Sequence, residues 1–243
     1  MAVRFLLAAL VAGMISGVLM TGAQYLRVTP LILHAEQYEG DGAAQHDASL
    51  HQRPSVLSLL SPVGVAYAHG EMKENGTLFG ASRFAGTLMA NLVTGAGFAL
   101  LLAAVSILAG VAVTPQNGLL WGACGWLAAQ LLPALGLPPE LPGFPSAELH
   151  LRQLWWIATV VASAAGLYLA LLRFETVARI VGVALIVLPH VFGAPQPTDL
   201  ASNVPAVLGA EYAVAALATT LFFWLSLGWL LGRINERFGV STA

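Results

Sequence analysis

Apolar positions run along this chain in long, nearly unbroken blocks, without the two-residue alternation of half-buried strands. Six blocks approach or exceed the roughly 20 residues a helix needs to cross a bilayer: about 5–26, 84–112, 118–135, 154–172, 177–194 and 207–231. They predict an all-α integral membrane protein with six transmembrane helices, or five if the fifth block only dips into the bilayer. That fifth block is, with the third, the shortest, and Pro189 falls near its end. Residues 27–83 separate the first two blocks as one long loop, expected on the extracytoplasmic side, and the whole chain, 1–243, reads as a single polytopic membrane domain. In that loop, residues 40–55 read as a linker. The stretch SVLSLLSPVGVAYA is too short and too proline-broken to span. The first block follows Arg4 as a signal peptide would, but its apolar run exceeds the usual core of about 7–15 residues. It is expected to stay as the first helix.

Composition agrees with the pattern. Hydrophobic residues make up 58% of the chain and charged residues 9%, against about a quarter charged in a soluble domain. So little charge cannot cover a globular surface. A net charge of −2 offers no basic face to nucleic acid. The single Cys124 cannot form an internal disulfide. No GxxxxGK[ST] phosphate cradle, GxSxG elbow or HExxH pair occurs, so no enzyme activity and no bound cofactor are expected.

Glycines at four-residue spacing in GMISG and GLLWGACGW predict close helix approach. The second and third helices are expected to pack through the short turn near Pro115 and Asn117. Gln24, Asn91 and Gln130 fall inside spans, where amides usually tie helices together.

Orientation follows positive charge in short loops. RFETVAR carries Arg173 and Arg179, the tail GRINERFG carries Arg233 and Arg237, and Arg4 precedes the first helix. Six helices allow all three regions, and both termini, to face the cytoplasm. Every histidine and ten of the twelve carboxylates then fall on the outer side. Glu175 and Glu236 are the exceptions, and Glu175 is expected to pair with Arg179 four residues on.

That acidic, imidazole-rich face supplies the candidate chemistry, because imidazole with carboxylate suits borderline divalent metals. HAEQYE offers His34, Glu36 and Glu39, and HGEMKE offers a similar set from His69. His46 and His51 read as linker residues. The proline-stiffened GLPPELPGFPSAELHLRQLWW delivers Glu140, Glu148, His150 and Arg152 outside, ahead of Trp155 and Trp156, which suit an interfacial aromatic belt. In LPHVFGAPQP, Pro189 is expected to end helix five and leave His190 beside freed carbonyls. Helix six starts near Pro205, with Ser202 or Asn203 placed to cap it. Glu211, about six residues in, is expected to face His190 across a cation path, since an intramembrane carboxylate is functional by default. The candidate metal ligands are therefore His190, Glu211, His34, Glu36, Glu39, Glu148 and His150.

At VTPLILHAEQYE, LGLPPELPG, RQLWWIATVVASAAGLYLA, LPHVFGAPQP and VPAVLGAEYAVAALATTLFFWLSLG the chain resembles CbtA, a family of predicted cobalt transporter subunits. The resemblance implies import of Co²⁺ across the bacterial inner membrane, linked to vitamin B12 supply. It also implies a small one-helix partner subunit whose tail carries histidines. Lipid, a divalent metal ion and that subunit are the expected partners. The family is commonly described with five spans, against six counted here. The rival reading is a non-transporting membrane anchor or regulatory subunit with an outer metal- or partner-binding loop.

Overall fold

The apolar blocks fold as helices, and no strand occurs among the described residues. The computed structural model describes residues 2–39 and 82–238. Most of the 27–83 loop, with the linker and HGEMKE, lies outside them.

Helix α1 (Ala2–Arg27) runs the length of the first block. A turn at Val28 separates it from α2 (Thr29–Glu39), whose second residue is Pro30. Pro30 has no N–H to continue the ladder of α1 but is tolerated in a first turn, so the chain changes direction there. Helix α3 (Arg83–Ala109) opens on Ser82, whose hydroxyl accepts the Ala85 N–H at 3.3 Å, and closes on Gly110 at φ 66°. Helix α4 (Gly118–Ala134) widens into a π turn over Leu127–Leu131. The wide turn runs up to Pro133, whose ring crowds the preceding turn and whose nitrogen cannot donate. Helices α5 (Leu149–Leu172), α6 (Thr176–Phe192) and α7 (Ala206–Arg237) complete the chain.

Four helices, α1, α3, α5 and α7, are long and apolar enough to cross a membrane by length and composition, and α4 and α6 are shorter apolar helices. At 1.5 Å per residue the 17 residues of α6 reach about 25 Å, short of a 30 Å hydrocarbon core. Multi-pass membrane architecture follows from the four long helices.

Packing forms a row, in the order α3, α1, α7, α4, α5, α6. Neighbours run antiparallel, and small residues set the closest approaches. A Cβ on Gly13 would overlap the Gly95 carbonyl oxygen, joining α1 to α3; one on Gly228 would overlap that of Gly118, joining α7 to α4. Gly166 and Gly182 meet in the same way between α5 and α6. The glycine spacing is therefore a true guide to close approach. It does not name partners: α3 pairs with α1, and α4 with α7, so the expected α3–α4 packing does not form. The intervening link packs on α7 instead: Asn235 donates to the Val113 carbonyl at 3.1 Å, and a Cβ on Gly232 would overlap the Thr114 carbonyl oxygen. Within the link, Asn117 accepts the Thr114 N–H at 2.7 Å and donates to the Ala112 carbonyl at 2.8 Å.

Of the three amides expected to tie helices together, Asn91 and Gln24 do so among the described residues, and Gln130 does not. Asn91 on α3 donates to Thr21 at 2.9 Å and Gln24 at 2.7 Å on α1. Two apolar clusters form the core. One joins Phe5, Ala9, Ala99, Phe223, Trp224 and Leu227 along the helices. The other joins Val28, Ala35, Leu141, Val204, Leu208 and Tyr212 at the end where α2 lies.

Antiparallel neighbours sort the charges. Among the described residues, the end away from α2 holds Arg4, Arg173, Arg179, Arg233 and Arg237 against Glu175 and Glu236. The α2 end holds His34, His150 and His190 with most of the carboxylates. With five arginines at that end against Arg27, Arg83 and Arg152 at the other, the positive-inside rule predicts the former on the cytoplasmic side. Fusing reporters at residue 60 and at the C-terminus should give an outside and an inside signal, respectively. An inside signal at residue 60 would reverse the assignment. The expected Glu175–Arg179 ion pair does not form: Glu175 caps α6 with an extended backbone, its carbonyl accepting the Arg179 N–H at 3.2 Å, and the Arg179 side chain donates instead to the Arg173 carbonyl at 3.2 Å.

Candidate functional site

The α2 end is assembled from α2, the loop between α4 and α5, the first turns of α5, the last turn of α6 and the loop leading into α7. Prolines at 138, 139, 142 and 145 leave the first of these loops unable to close into helix. Ser202 staples the two loops together, donating to the Gly143 carbonyl at 2.9 Å and accepting the Val204 N–H at 3.1 Å. Its hydroxyl is thereby spent, and α7 starts behind Pro205 with no side-chain cap, contrary to the capping role expected of Ser202 or Asn203.

Between the loops lies a cavity of about 490 Å³, lined among others by Gly136, Pro138, Glu140, Gln196 and Ser202. Glu140 meets Arg152 from α5 at 2.9 Å. Burial pushes the Glu140 carboxyl up, against the pull of the Arg152 guanidinium. Gly136 forms the floor: a Cβ there would run into the Trp155 ring and come within 2.9 Å of Ala194.

Behind that floor stands His190. Helix α6 does not stop at Pro189, as the sequence leads one to expect, but continues to Phe192, and the Gly193 N–H reaches the Pro189 carbonyl at 3.1 Å. Proline removes only its own donor, so a final turn still closes behind it. Continued helix turns the His190 ring toward α5, where it meets the edge of Trp155 with centroids 5.8 Å apart. His190 Nε2 and Trp155 Nε1 are both buried and both lack a hydrogen-bond partner. An unpaired buried polar atom costs about 1–3 kcal/mol. Here two such atoms sit on touching rings, one a donor and one able to accept, and each such group in a folded interior calls for an explanation.

The other candidates are scattered. Glu36 is held by Arg83, at 3.1 and 3.4 Å, across 47 residues of sequence. His34 lies one turn from Tyr38, ring centroids 5.8 Å apart. Residues two apart on a helix diverge, so His34 and Glu36 cannot share an ion from α2 alone. Glu39 is the last residue of α2. Glu148 precedes α5 with a non-helical backbone and His150 sits in its first turn; both are exposed. Glu211 lines a separate groove with Ala23, Arg27 and Leu31, none of which borders the Glu140 cavity. The facing arrangement of His190 and Glu211 is thus not assembled. Among the described residues, no three His, Cys, Asp or Glu side chains converge to hold a metal.

Sequence reasoning misses two contributors. Trp155 suits the interfacial belt by position, yet its ring packs against His190. Glu140 groups with its loop, and nothing local names Arg152, twelve residues on, as its partner; the opposite charges at the loop's two ends are the available signal.

The family model for CbtA, described as a probable cobalt transporter subunit, matches residues 2–236. The chain belongs to the CbtA family. No curated protein and no solved structure matches it. For a CbtA chain, the description as a subunit itself matters: other chains are implied. A membrane subunit whose potential ligands are few and dispersed is consistent with that description.

Proposed function

We propose that this CbtA chain admits Co²⁺ from the outer face of the bacterial inner membrane and passes it inward, in support of vitamin B12 supply. The observation that carries the proposal is the buried, unpartnered Nε2 of His190 behind an acid-bearing outer cavity. Neutral imidazole presents one ring nitrogen as an acceptor, and Co²⁺ is among the ions that imidazole suits. The acidic outer end concentrates divalent cations. The cavity strips part of their hydration near Glu140, and His190 offers a single exchangeable ligand. Few ligands are an advantage in transport, since a fully enclosed ion does not leave. Inward movement of each positive charge gains about 2.3 kcal/mol per 100 mV of membrane potential.

His190 alone cannot define a site, so the remaining ligands are proposed to come from a partner chain, in keeping with a small subunit whose tail carries histidines. Glu36 and Glu140 are already engaged by arginine, and this favours one rival: a regulatory or anchoring subunit that binds the ion without passing it.

Labelled Co²⁺ uptake into vesicles separates the two readings. The chain reconstituted with its partner should give saturable uptake driven by an inside-negative potential. Binding at the vesicle surface without accumulation would leave the anchoring role standing and end the transport reading.

A further inference from the structure

A second groove, of about 750 Å³, opens sideways between α1, α2 and α7. Its walls are apolar, with Leu26, Val214, Ala218 and Phe222 exposed along it. Arg27 and Glu211 also line it, and both are exposed. Among the described residues neither side chain makes an ion pair or a hydrogen bond, with each other or with any neighbour.

Their level in the membrane follows from helix length. The 32 residues of α7 extend about 48 Å at 1.5 Å each, roughly 18 Å more than a 30 Å hydrocarbon core. Shared between the two ends, the excess leaves about 9 Å of helix outside the core on each side. Glu211 is the sixth residue of α7 and Arg27 the last of α1, so both lie near the outer headgroup layer. The apolar walls lead from there toward the hydrocarbon.

Two unpaired charges of opposite sign, side by side at headgroup depth above an apolar trough, complement a zwitterion with a tail. We propose that this groove binds a glycerophospholipid whose headgroup carries both a phosphate and a primary ammonium. Arg27 takes the phosphate through its planar fork of donors. Glu211 accepts from the ammonium, and an acyl chain lies along Leu26, Val214, Ala218 and Phe222. A choline headgroup has the same charges but no N–H to donate. A glycerol headgroup has the phosphate but leaves Glu211 facing no cation. The site is independent of cobalt handling.

The test uses the full chain, exchanged in mild detergent with an equimolar mixture of ethanolamine, choline and glycerol phospholipids of identical acyl chains. Retained lipid is then weighed by native mass spectrometry, in which only folded, monodisperse particles are counted. Ethanolamine lipid should be retained about tenfold over the other two, the scale of one charge-assisted hydrogen bond. Glu211→Gln should erase the preference over choline lipid, and Arg27→Gln should lower retention of all three. Ala218→Trp fills the trough without touching either charge and should expel the lipid, which keeps the test open if Arg27→Gln fails to fold. Equal retention of all headgroups, or a preference that survives Glu211→Gln, overturns the proposal. So does a crosslink from Ala218→Cys to a second polypeptide lying in the groove.

Discussion

Gly228→Leu is expected to abolish accumulation of the folded protein, whereas Gly97→Ala should leave it unchanged or slightly raised. A Cβ on Gly228 would overlap the Gly118 carbonyl oxygen and come within 2.8 Å of the Gly122 nitrogen. Both obstacles are backbone on α4, so no rotamer change relieves them. The two helices would have to separate along a seam where Gly118, Gly122 and Gly228 permit contact. Overpacking usually costs about 1–3 kcal/mol, more where backbone must move, and membrane helices have little hydrophobic drive to recover it. Gly97 meets nothing within 4 Å of a built Cβ. An alanine there adds helix propensity worth about 1 kcal/mol at most. Yield of monodisperse protein and its thermal midpoint check the pair. Equal behaviour of the two variants would mean that α4 and α7 do not pack through these glycines.

His190→Ala is expected to raise the Co²⁺ concentration at half-maximal uptake by about 5- to 150-fold, corresponding to about 1–3 kcal/mol for one lost polar partner. Uptake must be normalised to inserted protein. Trp155→Phe keeps the aromatic edge that His190 meets and removes only the Nε1 donor, so it should have the smaller effect. Double-mutant cycles decide which groups act together. If one ion passes both groups, His190→Ala with Glu140→Gln should cost less than the sum of the single changes. His190→Ala with Glu211→Gln should be additive within about 0.5 kcal/mol, because Glu211 lines the groove beside α1 and α2 whereas His190 packs on Trp155 of α5. A histidine that only packs would give lower yield with unchanged half-saturation in the protein that survives, and that result would remove His190 from the path.

Much of the architecture is legible in the chain. Each of the six apolar blocks becomes an apolar helix, four of them long enough to cross a membrane, and GMISG and GLLWGACGW mark real contacts, because glycine spacing on one face is a local property. Which helices meet is not local. Gly13 finds Gly95, and Gly118 finds Gly228, over separations that hydropathy does not address. The candidate site shows the same division. Connectivity and charge suffice to gather the described histidines and most of the described carboxylates at one end. They do not give the pairing: Glu36 is held by Arg83, and Glu140 by Arg152, through folding of distant segments. Pro189 misleads for a different reason. A proline forbids its own hydrogen bond but not those of the residues after it, and so His190 stays helical and turns toward Trp155.

The order of the row bears on how the chain is made. Helix α7 follows the other five apolar helices in chain order yet occupies a central place, between α1 and α4. Until it arrives, α1 with α3 can associate early, and α4 can lean on α5 near its π turn, but nothing substantial joins these two assemblies. The glycines of α4 at positions 118 and 122 wait with their backbone uncovered while α5 and α6 are synthesised. Consolidation of the row is therefore tied to the synthesis of α7, and a chain stopped before residue 206 would lay down two helical assemblies joined only through residues 110–117.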